Sequence, residues 1–373
     1  MDNNKIRWVD RSRITKYWYC PRARFWQYEY KSKGIVKSTT SLPLYTGTCI
    51  HDSLATIATF HKEGAEVPID EIVKLAFDAM KQELMEASEG EVGAHDFAME
   101  QSSLVEGLIR GFYKHTWPIL MDTYPKIVAI ETEMTYDLGD DVKFMAKPDL
   151  IVEDKEGELV YLEYKSTSSK KQEWVDSWNT AVQLHSSIKA CEQSLGRTPA
   201  YVQILGLYKG YVSYGKQSSP FVYGYKRSGN PPFTQDDIKY EYKAGYKRSP
   251  VWEMDGGVKA WVEGMPSEVL SNQFPMSPQI FVDQDLVDAF FRQTKAKEAE
   301  IEIASRLINE SPEDNQGLLD KIFPQFFEKC QPAYGYPCEF RKLCSSHVED
   351  PLNEGFQVRE AHHTPEMDQF NGS

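Results

Sequence analysis

The feature that most constrains the fold is a group of three β-rich segments within residues 127–167, with helical sequence on both sides. They read IVAIETEMTYDL, VKFMAKPDLIVED and ELVYLEYKST, with turns at 139–140 and 155–157. Apolar runs bounded by turn residues are typical of strands. Two more strand-like segments, YVQILGLYKGYV and SSPFVYGYKR, follow later, and we expect them to pair as neighbours. Strands interrupted by helices predict an α/β core, with a mixed central sheet flanked by helices.

Helical periodicity dominates the sequence before this group and returns after it. The predicted helices cover residues 12–31, 46–64, 69–88, 98–116, 173–195 and 283–308. Pro21 lacks a backbone donor, so the first helix should be kinked near Cys20. Residues 228–280 are rich in Gly, Pro and Tyr and are predicted to be irregular.

These patterns divide the chain into four expected regions. They are an N-terminal helical region at 1–120, a sheet-containing core at 121–227, a segment with a helix and grouped cysteines at 228–348, and a polar, disordered tail at 349–373. The His362-His363 pair in that tail is expected to be inert rather than ligating.

Charge is distributed unevenly along the 373-residue chain, which has a net charge of −14. Such acidity argues against a domain coated in nucleic acid. However, residues 1–38 contain ten Lys or Arg and three acidic residues. Residues 166–250 contain twelve Lys or Arg and six acidic residues. An enzyme that grips a few phosphates would show this pattern, although a solvated charged face would show it too.

The sequence has no stretch with the length and apolarity of a membrane span, and its first ten residues lack an apolar signal core. We therefore expect a cytoplasmic protein. In that compartment, six cysteines are not expected to form structural disulfides.

Two carboxylates and an amine are predicted to converge where neighbouring strands end. Asp149 closes the second strand of the group, and Glu163 and Lys165 lie on the third. Side chains alternate along a strand, so Glu163 and Lys165 share one face, and Asp149 can lie opposite them. Clustered carboxylates favour a divalent cation, and oxygen ligands suit Mg²⁺ or Mn²⁺. Lys165 could then orient or help to deprotonate a water molecule. The alternative is an ordinary surface salt bridge.

Two further residues can support this site. His51 lies on a helix after Gly47, and an imidazole is a suitable additional ligand for Mn²⁺, although a lone histidine on a helix is more often a surface or core residue. Gln183 lies on the helix after the third strand, from which it could reach the site or a DNA backbone.

Four of the six cysteines suggest a second centre. Three lie close together in CQPAYGYPCEFRKLC, and the fourth is far away in the first helix: Cys330, Cys338, Cys344 and Cys20. Zinc sites usually contain cysteines two to four residues apart, which this spacing lacks. Three near thiolates and one remote thiolate can bind an iron–sulfur cluster, and unrelated free thiols are the alternative. Cys49 and Cys191 are expected to be packing residues.

Together these motifs resemble the RecB-like, iron–sulfur branch of the PD-(D/E)XK nuclease superfamily, which includes CRISPR-associated four-cysteine exonucleases, the AddB nuclease domain and phage-encoded relatives. The matching elements are Gly47-xxx-His51, Pro148-Asp149, Glu163-Tyr164-Lys165, Gln183 of the QxxxY motif, and the one-plus-three cysteines Cys20, Cys330, Cys338 and Cys344. One departure is clear, because Ser187 stands where QxxxY has its tyrosine.

The resemblance implies a restriction-endonuclease-like fold and a metal-dependent DNA nuclease, most simply an exonuclease acting on single strands or DNA ends. It implies that His51, Asp149 and Glu163 bind Mg²⁺ or Mn²⁺, that Lys165 assists the attacking water and that Gln183 supports the site. It also implies a structural 4Fe-4S cluster and a setting in DNA recombination and repair, with a recombination or CRISPR-type protein partner.

Two other functions fit parts of the sequence. A nucleic-acid-binding or assembly module with the same fold would bind DNA without cutting it, and Ser187 is its support. An iron–sulfur redox protein would need the cysteines but not the carboxylates and Lys165. Metal-dependent cleavage of DNA would distinguish a nuclease from the binding module and from the redox protein.

Overall fold

A computed structural model describes most of the chain. The described residues are 6–39, 41–89, 91–168, 176–178, 181–210, 219–227, 237–240, 243–310, 316–331, 337–345, 350–361 and 363–371. No helix within these ranges is long and apolar enough to cross a membrane.

The α-helices are α1 Arg11–Tyr19, α2 Pro21–Arg24, α3 Leu42–Lys62, α4 Ile69–Ala87, α5 Ala94–Gly111, α6 Trp117–Thr123, α7 Val182–Leu195, α8 Gly257–Glu263, α9 Ser267–Ser271, α10 Gln284–Glu310, α11 Gln316–Ile322, α12 Phe327–Cys330, α13 Arg341–Ser345 and α14 Thr364–Asn371. The predicted helices are found with shifted ends: α3 begins at Leu42 rather than residue 46, α5 at Ala94 rather than residue 98, and α7 at Val182, while residues 173–175 and 179–180 of that prediction lie outside the described residues. The side chain of Asp10 accepts the N–H of Arg13 and starts α1 one residue early. The predicted kink is confirmed at Cys20, whose backbone is extended.

The strands are β1 Arg7–Asp10, β2 Ile35–Lys37, β3 Lys126–Ile130, β4 Met134–Gly139, β5 Val142–Ala146, β6 Leu150–Glu153, β7 Leu159–Thr167, β8 Tyr201–Tyr208, β9 Tyr223–Arg227, β10 Ile238–Lys239, β11 Tyr246–Pro250, β12 Ile280–Phe281 and β13 Phe356–Val358. Five of them form the central sheet in the order β12-β8-β7-β6-β3. β7 and β8 run parallel, while the other neighbours in this sheet are antiparallel. The predicted mixed sheet is confirmed.

Helices cover both faces of the central sheet. Alternate residues of β6 and β7 point to opposite layers, because side chains alternate along a strand. Leu150, Val160 and Leu162 pack with α3, α4 and α5. Ile151 and Tyr161 pack with α7 and α10. Burial on both faces explains why β7 reads as a nearly continuous apolar run.

Two of the predicted strands are each divided between two sheets, which corrects the sequence prediction. IVAIETEMTYDL forms β3 and β4, and VKFMAKPDLIVED forms β5 and β6. β4 and β5 join β1 in a separate three-stranded sheet. The first break falls at Glu131, whose φ of 43° cannot continue a strand. The second falls at Pro148, which has no N–H to donate to a ladder.

The expected pairing of β8 with β9 is wrong. β12 occupies the free edge of β8, where Ile280 pairs with Val202. β9 instead lies between β10 and β11 in a sheet of its own. Residues 228–280 are therefore not wholly irregular, since their described part contains β10, β11, α8 and α9.

The C-terminal tail was expected to be disordered, but its described part is folded onto the N-terminal region. β13 pairs with β2, and α14 follows it. Arg359 and Glu366 form a buried ion pair, and Glu366 also pairs with Arg13. The polar composition was misleading because these charged side chains are buried against each other rather than solvated.

A buried group of charges connects the N-terminal region to the long helix α10. The side chain of Arg24 is 0% exposed. Its guanidinium donates to Glu29 at 2.9 Å and to both carboxylate oxygens of Glu298, on α10, at 3.0 and 3.1 Å. Arg7 also pairs with both acids. Because every charge has a partner, this group can be buried without isolating an ion.

Replacing Arg24 by Met should leave Glu29 and Glu298 buried and short of a partner. We expect a loss of about 3–5 kcal/mol in the free energy of unfolding, measured by urea denaturation. Arg306→Met removes an exposed arginine from α10 and should change that free energy by less than about 0.5 kcal/mol. Equal losses in the two variants would show that the buried group does not stabilise the fold.

Candidate functional site

Asp149 lies where the chain passes from one sheet to the other, between β5 and β6. Its side chain is buried, and each carboxylate oxygen contacts a different element. Oδ2 accepts the backbone N–H of Tyr164 at 2.6 Å, and Oδ1 lies 3.2 Å from Nδ1 of His51. This carboxylate is therefore fixed by β7 on one side and by α3 on the other.

His51 projects from α3 towards this carboxylate. Its Nδ1 also lies 3.8 Å from the Oε1 atom of Glu131. Its ring meets that of Tyr164 edge-on, with centroids 6.0 Å apart. Gly47 precedes His51 by about one helical turn and so lies on the same face. A Cβ atom at Gly47 would meet no atom beyond its own stretch of helix within 4 Å, so the helix surface at Gly47 is open.

Glu131 is a site residue that the sequence prediction missed. It follows β3, and its N–H donates to the carbonyl oxygen of Asp149 at 3.1 Å. Lys147 pairs with its carboxylate at 2.9 Å. Glu131 was missed because it lies in the middle of a segment that was predicted as one strand. Glu131 and Glu133 fit the polar positions of an alternating strand, so the sequence carries no local signal of the break.

Within the described residues, His51, Glu131 and Asp149 form a group that could hold a metal ion. Their potential ligand atoms all lie within 4.8 Å of one another. One imidazole nitrogen and two carboxylate oxygens are donors that suit Mn²⁺. The two carboxylate oxygens also suit Mg²⁺, which prefers oxygen ligands. The donor chemistry therefore fits a divalent cation.

The electrostatics of the group also fit a cation. Burial raises the pKa of Asp149, and the nearby charge of Glu163 raises it further. Burial by itself lowers the pKa of His51, but Asp149 and Glu131 raise it to about 10. These shifts mean that the pocket concentrates negative charge and retains a proton on the imidazole. A divalent ion would satisfy the same carboxylates.

Glu163 and Lys165 lie on one face of β7, as alternation predicts. The register pairs Leu150 with Leu162, which brings Asp149 level with Glu163. Glu163 is 2% exposed, and both the hydroxyl of Tyr161 and the ammonium of Lys165 donate to its carboxylate. Tyr161 is a contact that the sequence prediction also missed. The structure thus brings His51, Asp149, Glu163 and Lys165 together.

The region of the QxxxY-like segment is described only in part. Gln183 lies in α7, but its side chain falls outside the described residues. Ser187 is buried on the same helix. It lines a cavity of about 170 Å³ together with Tyr161 and Lys147. The departure from tyrosine at 187 therefore lies next to the candidate site.

The cysteines from the two ends of the chain meet in one apolar region. Cys20, between α1 and α2, packs in one cluster with Phe340, Leu343, Phe356 and the partly buried Cys338. The N–H of Cys338 donates to the carbonyl oxygen of Cys330 at 3.1 Å. Burial raises the pKa of the Cys338 thiol, and its neighbours Cys20 and Cys330 raise it further.

The remaining cysteines divide into two kinds. Burial raises the pKa of Cys344 to about 11, and Cys338 and Cys330 are among its electrostatic neighbours. Cys344 therefore belongs with the other three. Cys49 and Cys191 are buried in the two separate layers that cover the central sheet.

A comparison with protein-family models agrees with this fold. Residues 11–345 match the model of the PD-(D/E)XK nuclease superfamily, so the chain belongs to that superfamily. Its mixed α/β architecture is consistent with the restriction-endonuclease-like fold of such nucleases. No curated protein matches the chain. The protein therefore has a nuclease-type fold, with a His–Glu–Asp group suited to a metal ion.

The raised pKa of His51 makes cation binding depend on pH. Without a cation the imidazole carries its proton below its pKa of about 10, and an ion bound by its nitrogen must displace that proton. We expect affinity for Mn²⁺ to rise between about pH 6.5 and 8.5, by up to about tenfold per unit. Calorimetry in buffers of different ionisation enthalpy should count about one proton released per ion.

His51→Gln should flatten this dependence, because an amide has no proton to lose. His61→Gln, ten residues later on the same helix and packed against Trp117, should retain the wild-type slope. Binding without proton release in the wild type would exclude His51 as a ligand.

Proposed function

We propose that this protein is an Mg²⁺- or Mn²⁺-dependent deoxyribonuclease of the RecB-like branch, which hydrolyses phosphodiester bonds of single-stranded DNA or DNA ends, most simply as an exonuclease. The observation that carries the proposal is the convergence of His51, Glu131 and Asp149 beside the Glu163–Lys165 pair. Burial and the charge of Glu163 raise the pKa of Asp149, so a divalent cation would relieve the cost of gathering these carboxylates.

Each residue has a role that follows from its contacts. Asp149, held by the Tyr164 N–H and His51, presents a fixed carboxylate. Glu163 lies level with it on β7. A divalent cation bound there would stabilise negative charge on a phosphate and make water more acidic. Lys165 can move its ammonium from Glu163 to a phosphate oxygen or an attacking water. Gln183 is assigned the supporting role that the QxxxY resemblance implies.

Exposed aromatic residues support single-stranded DNA as the substrate. Within the aromatic stretch 17–28, Tyr17, Phe25 and Tyr28 are buried in the core. Trp18 and Tyr19 are 50% and 43% exposed and remain available for stacking. Single strands expose their base faces, whereas a duplex does not.

We further propose that Cys20, Cys330, Cys338 and Cys344 bind a structural 4Fe-4S cluster. One tetrahedral zinc ion would hold its thiolates about 3.8 Å apart, given Zn–S bonds of about 2.3 Å. No three cysteine sulfurs among the described residues lie within 4.8 Å of one another. A cluster binds each thiolate through a different iron atom and spaces them more widely. The apolar side chains around Cys20 would shield it from solvent.

The wider biological setting follows from the resemblance alone. It favours a role in DNA recombination and repair, of the kind found in phage-encoded and CRISPR-associated relatives, with a protein partner from such a system. A cytoplasmic location is part of the same proposal.

Substitutions at the candidate site should abolish cleavage. We expect Asp149→Asn and Lys165→Met each to lower the rate of metal-dependent cleavage by at least about 100-fold, because each removes a charge that acts in the transition state. The assay compares linear and circular, single- and double-stranded labelled DNA, and activity on linear but not on circular DNA is the result expected for an exonuclease. Lys126→Met, which breaks an exposed ion pair with Glu153, is the control.

Full activity in either variant would contradict the assignment of that residue. A wild-type protein that binds DNA equally well with and without EDTA and leaves it intact would instead be the binding module that Ser187 suggests. EDTA should stop cleavage by the enzyme.

The cluster makes a separate prediction. Anaerobically purified protein should be brown, with broad absorbance in the visible range and about four irons per chain. Cys338→Ser should lose both the colour and the iron, whereas Cys191→Ser, which removes a buried thiol from α7, should retain them. A colourless protein with one zinc ion would overturn the cluster and leave the nuclease proposal standing.

A further inference from the structure

A second polar cavity lies at the carboxyl ends of β7 and β8, next to the candidate active site. It has a volume of about 200 Å³, and its lining includes Thr46, Gln101, Ser168, Lys209 and Ser219. We propose that this cavity binds a backbone phosphate of the DNA strand being cut, with Lys209 as its cation. The inference rests on the proposed nuclease function and adds a binding site for the substrate strand.

The sheet places this cavity beyond the carboxyl end of β7, the strand that carries Glu163 and Lys165, on the side that α3 and α5 cover. Parallel pairing sets Thr167 level with Tyr208, and the N–H of Lys209 donates to the carbonyl oxygen of Thr167 at 2.8 Å. Ser168 and Lys209 therefore lie at the same level, just beyond the end of β7. Ser168 follows Lys165 by three residues, about 10 Å along a strand, and alternation places it on the opposite face, towards α3. A DNA strand covers that distance in roughly one to three nucleotides.

Helix α3 forms the second wall of the same path. Its first turns, at Leu42, Pro43 and Thr46, line the cavity. Gly47 and His51 follow along the helix, and a Cβ atom at Gly47 would meet no atom beyond its own stretch of helix within 4 Å. Both α3 and β7 thus lead from the cavity to the His51–Asp149–Glu163 site.

The charge of the cavity indicates an anion. In the part of the chain that the structure describes, the Lys209 ammonium has no ion pair or hydrogen bond, while Lys147 and Lys165 pair with Glu131 and Glu163. Burial lowers the pKa of Lys209, as it does for a cation without a counter-charge.

The acidic residue at this cavity does not compensate Lys209. Glu100 also lines the cavity, but its carboxylate accepts a hydrogen bond from the Tyr223 hydroxyl at 2.9 Å and forms no ion pair with Lys209. A phosphodiester supplies one negative charge and several acceptors. Those acceptors match one ammonium and the hydroxyl of Ser168.

The test replaces single phosphates of a single-stranded oligonucleotide by neutral methylphosphonates, one position at a time. Cleavage is followed at every bond, so that each effect is referred to the bond that is cut. For the wild type we expect one position, within about three nucleotides of that bond, at which kcat/KM falls about 10- to 100-fold.

Lys209→Met should lose the sensitivity at that position, because its cation is already absent. Lys209→Arg should retain it. Lys155→Met is the matched control, because it removes one exposed lysine from the opposite end of β7 and should keep the wild-type profile. The affinity of Lys209→Met for the unmodified strand should also depend less on salt. In a plot of the logarithm of the binding constant against the logarithm of the salt concentration, the slope should be less steep by about 0.7.

Two results would overturn the inference: a profile in Lys209→Met that matches the wild type, or an equal change in Lys155→Met. Binding of the same oligonucleotides in Ca²⁺, followed by fluorescence anisotropy, separates this question from the nuclease proposal. A wild type that binds but does not cleave with Mg²⁺ or Mn²⁺ refutes the nuclease. The anisotropy profiles of the lysine variants then still decide whether Lys209 contacts a phosphate.

Discussion

The carboxylate of Asp149 is the point on which the site depends. One oxygen accepts the Tyr164 N–H from β7, and the other faces His51 on α3. Its own carbonyl oxygen accepts the N–H of Glu131, at the end of β3. Three separate elements are thereby positioned around one buried group. Pro148 makes this possible because it ends the ladder of β5 and lets the chain cross to β6.

Two of the buried groups of charges among the described residues differ in how their surroundings shift the pKa of a carboxylate. Around Arg24, each carboxylate faces a guanidinium, so burial leaves no charge alone. Around Asp149, three carboxylates contact three cationic side chains, yet burial and the charge of Glu163 raise the pKa of Asp149 rather than lowering it. Functional sites are where such unfavourable clustering is retained. The first group stabilises the fold, and the second favours binding of an external cation.

The sequence predicted the parts of the site that depend on local periodicity. Alternation was sufficient to place Glu163 and Lys165 on one face of β7. It could not reveal Glu131, because a residue with φ of 43° interrupts a segment that otherwise reads as one strand. Alternation also could not predict which strands pair. The sequences of β8 and β9 are compatible with pairing to each other, but in the folded chain β12, from a distant part of the sequence, pairs with β8. The tail was mispredicted for a related reason, since Arg359 and Glu366 find partners only in the folded chain.

The departure at Ser187 affects a cavity rather than the carboxylates. A small side chain there leaves a space of about 170 Å³, bounded in part by Tyr161 and Lys147. A tyrosine at 187 would occupy part of this space. Tyr161, two residues before Glu163 on the same face of β7, already donates a phenolic hydrogen bond to that carboxylate. The group formed by His51, Glu131 and Asp149 does not involve residue 187. Ser187 therefore alters the shape of the space beside the site and leaves the potential metal ligands in position. Ser187 was the support for a protein that binds DNA without cutting it, and that support is weakened.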